Sequence, residues 1–198
     1  MAVRLTRPGR ERLMLLAGLC LFVASRTGAA VIYRMQVDRN GDLYHAAAVA
    51  HLCVTPAEAY AALVDFAHFP DMNPDIRKAV TIKKLSPHSQ IVYMETRACI
   101  GFFCRTLKQM QQFTELSSRD LVAVTLAQGS NVKQASSSWH LQADGKGTRL
   151  YWQTSLEPDF WVPPLIGSSL LRTTLLQQGE RFMAGIERHS GRFPCPAR

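Results

Sequence analysis

Enzyme signatures are missing from this 198-residue chain. It has no HExxH pair to bind zinc, no GxSxG elbow to present a serine, no Walker-type glycine loop and no GxGxxG after a strand. These gaps remove the motif-bearing metallopeptidases, hydrolases and nucleotide-driven enzymes. Charge is sparse at 19% of residues, and the 23 basic side chains against 15 acidic ones include no basic run interleaved with aromatics. Nucleic-acid binding therefore has no support. Repeats and low-complexity linkers are absent too, which argues for a single domain.

The one long apolar run, Leu13 to Ala24, follows Arg4, Arg7, Arg10 and Arg12 and precedes the small residues Thr27, Gly28, Ala29 and Ala30. Positive, apolar, small is the order of a secretory signal peptide over residues 1–30, with cleavage near Ala29 or Ala30. The run is short for a membrane-spanning helix, so a retained N-terminal anchor is the alternative. Cys20 follows Leu19 rather than a small residue, unlike a lipoprotein signal. Export to a bacterial periplasm, or secretion, is the expectation. Without residues 1–30 the net charge falls from +8 to +4, an ordinary soluble surface.

Four cysteines remain: Cys53, Cys99, Cys104 and Cys195. An oxidising compartment favours pairing. Cys99 and Cys104 flank Ile100, Gly101, Phe102 and Phe103, the tip of a hairpin with glycine in its turn. A structural disulfide is the leading expectation, with free thiols or a catalytic pair as alternatives. Cys53 with Cys195 is a weaker second pairing. No set of four ligands suggests a metal, and neither metal nor cofactor is expected.

Residues 31–41 read as a poorly ordered lead-in to a domain over 42–190, with a tail at 191–198. Strands are expected at 42–54, 78–85, 90–98, 103–116, 121–127, 134–142 and 148–157. Trp139 and Leu141 alternate with Ser138 and His140, and Leu150, Trp152, Thr154 and Leu156 with their polar neighbours. That is the period of a sheet buried on one face. After Val54, Thr55 caps a helix opening with Pro56, which breaks at Asp65, Phe66, Phe69, Pro70 and Pro74. Prolines interrupt 158–164, and Ile166, Leu170, Leu171, Leu175, Phe182 and Ile186 then mark a long helix from Leu165. Six to seven antiparallel strands with a helix laid across them define an α+β fold.

The segment CVTPAEAYAALVDFAHFPDMNP, the hairpin CIGFFCRTLKQMQQF, and SSSWHL and GTRLYWQTSLEPDFWVPPLIG occur in an order that resembles the START-like (SRPBCC) superfamily, specifically its coenzyme-Q-binding and polyketide-cyclase-like branch. The likeness spans roughly 43–188. It implies a helix-grip fold: a curved antiparallel sheet around a long C-terminal helix, short helices after the first strand, and an apolar cavity between. It implies a hydrophobic small molecule or lipid as partner, transient membrane contact, and a carrier of a lipid or isoprenoid quinone that works as a monomer. Alternatives are a polyketide cyclase or aromatase, and a membrane-anchored binding module. Export argues against the cyclase, because polyketide assembly is cytoplasmic.

In that architecture the loop aromatics Phe66, Phe69, Phe102, Phe103, Phe160 and Trp161 surround the cavity entrance as gate or rim. Trp139, Trp152 and Tyr93 sit on strands, where core side and cavity wall coincide. Glu95 and Arg97 share a strand face with Tyr93 and are the polar candidates for the cavity; a solvated charge pair is the plainer reading. His140 points away from Trp139. Arg105 belongs to the surface or the cavity mouth, where it could meet a carboxylate or phosphate headgroup.

Overall fold

The computed structural model describes residues 30–101, 103–163 and 166–191. The expected signal peptide up to Ala29, Phe102, Pro164, Leu165 (the expected start of the long helix) and the tail with Cys195 lie outside the described residues. Cys53 is disulfide-bonded.

Eight strands form one antiparallel sheet: β1 (Val31–Asn40), β2 (Leu43–Leu52), β3 (Ile76–Ser86), β4 (Ser89–Ile100), β5 (Phe103–Glu115), β6 (Asp120–Leu126), β7 (Val132–Asp144) and β8 (Gly147–Pro158). Their order is β1-β2-β8-β7-β6-β5-β4-β3, so β2 pairs with the last strand while β1 and β3 are the edges. The expected seven strands are present. The eighth is β1, where a lead-in was expected. Its alternation is interrupted by an irregularity between Ile32 and Arg34, which leaves Tyr33 half exposed and turns Ile32, Met35 and Val37 inward.

Between β2 and β3 lie α1 (Pro56–Val64), a 3₁₀ turn (Phe66–His68) and α2 (Phe69–Met72). Thr55 caps α1 as its sequence suggests. Its hydroxyl accepts from the Glu58 N–H, and the Glu58 carboxylate accepts from the Thr55 N–H at 2.8 Å. α3 (Ser168–His189) starts three residues later than expected. It packs on β1 and on α2, and the Arg172 guanidinium donates to the Met35 carbonyl at 2.9 Å, engaging the β1 edge. The main core gathers Leu52, Leu63, Phe66, Met72, Val92, Phe113, Leu121, Leu141 and Ile186 under α1–α2. Leu170, assigned to the apolar stripe of α3, is instead exposed.

Candidate functional site: a two-chambered apolar cavity

Small residues hollow out the interior. The inward face of β2 reads Tyr44, Ala46, Ala48, Ala50, Leu52. The three alanines are buried yet reach only one carbon into the space between sheet and helix. The room they leave is divided into two adjoining chambers.

The first chamber, about 200 Å³, lies among Tyr44, Ala46, Ala98, Ile100, Phe103, Leu107, Trp152, Leu156, Phe160 and Val162, with Leu171 and Leu175 of α3. The second, about 270 Å³, lies among Ala48, Ala50, Phe69, Met94, Trp139, Leu150 and Trp152, with Phe182 and Met183 of α3. Thr96, Trp152, Leu175 and Gln178 line both, so the two share a wall. Among the described residues no carboxylate lines either chamber.

Polar groups are few and mostly engaged. In the second chamber Gln109 and Gln111 each donate an amide N–H to the Thr125 hydroxyl, at 3.2 and 3.3 Å. Ser137 and Thr154 share a hydrogen bond of 2.7 Å across β7 and β8. In the first chamber the Tyr44 hydroxyl is buried with no protein partner, and burial raises its pKa. Arg105 is the one Lys or Arg of the described lining, its guanidinium 4.7 Å from the centre of the Phe103 ring. A long apolar chain with one polar end fits this distribution. The walls are aliphatic and aromatic, and the Arg105 guanidinium is the one described Lys or Arg group that a polar end could meet.

The structure distributes the sequence candidates unevenly. Phe69, Trp139 and Trp152 line the second chamber; Phe103, Phe160 and again Trp152 line the first. Phe66 is buried in the core, 4.4 Å from the Phe113 ring and 5.1 Å from the Phe69 ring, and touches neither chamber. Trp161 projects outward, 69% exposed, beside the loop that carries Phe160 and Val162. Phe102 lies outside the described residues.

Tyr93, Glu95 and Arg97 need correcting as cavity residues. Met94, Thr96, Ala98 and Ile100 of β4 face the cavity, so the odd positions between them face out. There the Tyr93 hydroxyl donates to the Glu95 carboxylate at 2.7 Å, and Glu95 stands opposite Lys78 on one neighbouring strand and Lys108 on the other. These charges complement each other across an outer sheet face. His140 is likewise outside, bonded to Asp120 at 2.6 Å.

Cys99 and Cys104 face each other in the β4–β5 register and form a disulfide, with Cα atoms 4.0 Å apart. Gly101 takes a left-handed φ of 59° in the turn between them. The bridge fixes the two strand ends whose inward side chains, Ile100 and Phe103, wall the first chamber.

Sequence reasoning missed Tyr44, Gln109, Gln111 and a buried acid. Glu187 of α3 is completely buried; its carboxylate accepts from the Cys53 N–H at 2.9 Å and from the Ala30 N–H. Burial pushes its pKa up against those bonds. A polar residue inside the last turn of an apolar helix stripe was the available signal.

No protein-family model matches the chain, and no curated protein matches it. Solved structures do share its fold. The STAR-related lipid transfer protein from Xanthomonas axonopodis is similar at a TM-score of 0.60 and 16% identity, over 83% of this chain and 99% of that one. The Zhui aromatase/cyclase from Streptomyces sp. R1128 is similar at 0.60 and 12% identity, over 76% and 94%. A START superfamily protein from Mycobacterium smegmatis is similar at 0.60 and 13% identity, over 73% and 98%. The fold is the START helix-grip.

Proposed function

We propose that the chain binds a hydrophobic molecule with a long apolar chain, a lipid or isoprenoid quinone, and transfers it at a membrane surface. One observation carries this reading: two adjoining chambers with largely apolar walls and no carboxylate in their described lining. Each methylene moved from water into such a space gains about 0.8 kcal/mol. A bilayer offers much the same gain, so transfer needs contact with the membrane rather than tight binding. Trp161, exposed in the loop that carries Phe160 and Val162, and Leu170, exposed in the first turn of α3 beside Gly101 of the β4–β5 turn, are suited to an interfacial position. Arg105, in the lining of the first chamber, is placed to hold the head group. Structures of the same fold named for lipid transfer support the reading; others are aromatase/cyclases. A cyclase built on Tyr93, Glu95 and Arg97 is disfavoured because those side chains face away from the cavity.

Native mass spectrometry of the purified protein, with organic extraction of bound material, tests the proposal. A stoichiometric lipid or quinone is the expected result. A folded, empty protein that also fails to bind fluorescent fatty-acid or quinone probes overturns it. Replacing Trp161 with Ala should slow transfer between vesicles at least ~5-fold while leaving probe affinity unchanged, as expected of a rim residue.

We further propose export with cleavage between Ala29 and Ala30. This would turn the Ala30 amide into an α-ammonium group beside the buried Glu187 carboxylate, adding a full positive charge to the Cys53 N–H and the His51 side chain that already act on that acid. The pH dependence of stability then reports processing. In the chain retaining residues 1–29, the Glu187 pKa lies above its ordinary 4.5. The native state therefore holds the proton more tightly, and its contribution is present below 4.5 and lost as pH rises through the raised value. In the chain starting at Ala30 the ammonium lowers that pKa, so the contribution is present at neutral pH and lost on acidification. Urea unfolding of both forms, each with and without Glu187→Gln, should show opposite signs of the Glu187 contribution. Equal slopes would reject the pairing.

A further inference from the structure

Away from the cavity, three side chains from three different elements converge at the surface. Asp65 follows α1, His68 ends the 3₁₀ turn, and His189 is the last residue of α3. The His68 Nδ1 lies 2.8 Å and the His189 Nε2 3.2 Å from the same Asp65 Oδ2. All three donor atoms fall within 4.8 Å of one another, and the two imidazole rings are 5.1 Å apart. Asp65 and His189 are about one-third exposed and His68 about half, so an ion has open access.

We propose that Asp65, His68 and His189 bind a first-row divalent cation of the zinc class and so tie the end of α3 to the segment that carries Phe69. Two imidazoles and one carboxylate are the donor types such ions take, at about 2.0–2.2 Å from the metal. Ligand atoms around an ion at that distance stand about 3 Å apart. The two contacts to Asp65 Oδ2 already have that spacing, and only the imidazole nitrogens need to close on each other. Binding requires that His68 carry its proton on Nε2 and His189 on Nδ1, the ring positions not used for the ion. Three protein ligands leave the remaining positions to water.

The arrangement joins elements that sequence separates. Asp65 and His68 enter the segment that continues into Phe69 and Asn73 of the second chamber, while Phe182 of the same chamber lies on the helix that ends in His189. The Phe69 and Phe182 rings already meet edge to face at 5.4 Å. An ion at the helix end would hold these two walls together and couple metal occupancy to the dimensions of the second chamber.

Isothermal titration of the untagged full chain with Zn2+, after chelator treatment and dialysis, tests the site. One ion per chain with a Kd of about 10 µM or tighter is expected. His68→Ala and His189→Ala should each weaken binding at least ~10-fold, whereas His88→Ala, in the β3–β4 turn, should leave it unchanged. Zn2+ at 100 times its Kd should raise the melting temperature by about 5 °C in the parent chain and not in the two variants. Imidazole resonances of the unmutated chain give a reading independent of how the variants fold: those of His68 and His189 should move with Zn2+, and that of His51 should not. No saturable binding, undiminished binding in the His68→Ala/His189→Ala double variant, or shifts confined to other histidines would each overturn the proposal.

Discussion

Ala48→Phe should give a protein that folds normally and carries no ligand. Ala48 lies on the inward face of β2 between Ala46 and Ala50, and its methyl group lines the second chamber. A phenyl ring built there enters a space of about 270 Å³ bounded by Met35, Trp152 and Leu175. The surroundings are apolar, so burying the ring contributes about 1.5–3 kcal/mol before strain, and the added strain of overpacking runs to about 1–3 kcal/mol. The two nearly offset, and the melting temperature should stay within ~4 °C of the parent. Affinity for a fatty-acid or quinone probe should fall at least ~30-fold, about 2 kcal/mol, because the ring occupies the volume the tail requires. Co-purified ligand should disappear from the mass spectrum. A variant that is folded and binds with parental affinity would show that the second chamber does not hold the ligand.

The second large effect concerns Gly185. α3 crosses α2 so closely at this point that a Cβ on residue 185 would overlap the carbonyl group and Cα of Met72. The neighbour is backbone, so a side chain cannot simply rotate away. Gly185→Val should therefore push α3 off the α2 segment and open the Phe69–Phe182 contact. The expected cost is about 3 kcal/mol or more, a melting temperature lower by roughly 6–12 °C, with probe affinity weakened in parallel. A thermal shift below ~2 °C would mean that the helix crossing is looser than described.

The strands that alternate cleanly were legible. β7 and β8 put Trp139, Leu141, Leu150 and Trp152 on one face with polar residues between them, and the sheet buries that face. β1 was not legible, for an identifiable reason. VIYRMQVDRN carries three consecutive apolar residues, and the irregularity near Tyr33 changes the parity of those that follow. A period-two test fails on a strand that contains a bulge. β4 misled in a different way. Both of its faces mix apolar and polar residues, so alternation grouped Tyr93, Glu95 and Arg97 together but gave no sign of which side is inside. The deciding contacts come from Lys78 and Lys108 on neighbouring strands, which a linear reading does not bring next to Glu95. The alanines of β2 carried the opposite ambiguity, since a small residue looks the same whether it packs tightly or borders a void. Glu187 and Tyr44 became visible only when burial was known.

The pairing of β2 with β8 also bears on when the molecule can fold. Tyr44 through Leu52 pair with Thr148 through Leu156, so this seam joins stretches of chain separated by about a hundred residues. Closing so long a loop costs entropy before any contact compensates for it, and folds dominated by such contacts form slowly. As the chain emerges from its N-terminus, the alanine face of β2 must wait for almost the whole remaining sequence before its partner arrives. Until then the alanine-lined wall and one strand edge stay open to solvent, and the ligand has no enclosed site. The other six strand pairings join neighbours in sequence and can form as hairpins first, so closure of this single seam is what completes both the sheet and the cavity.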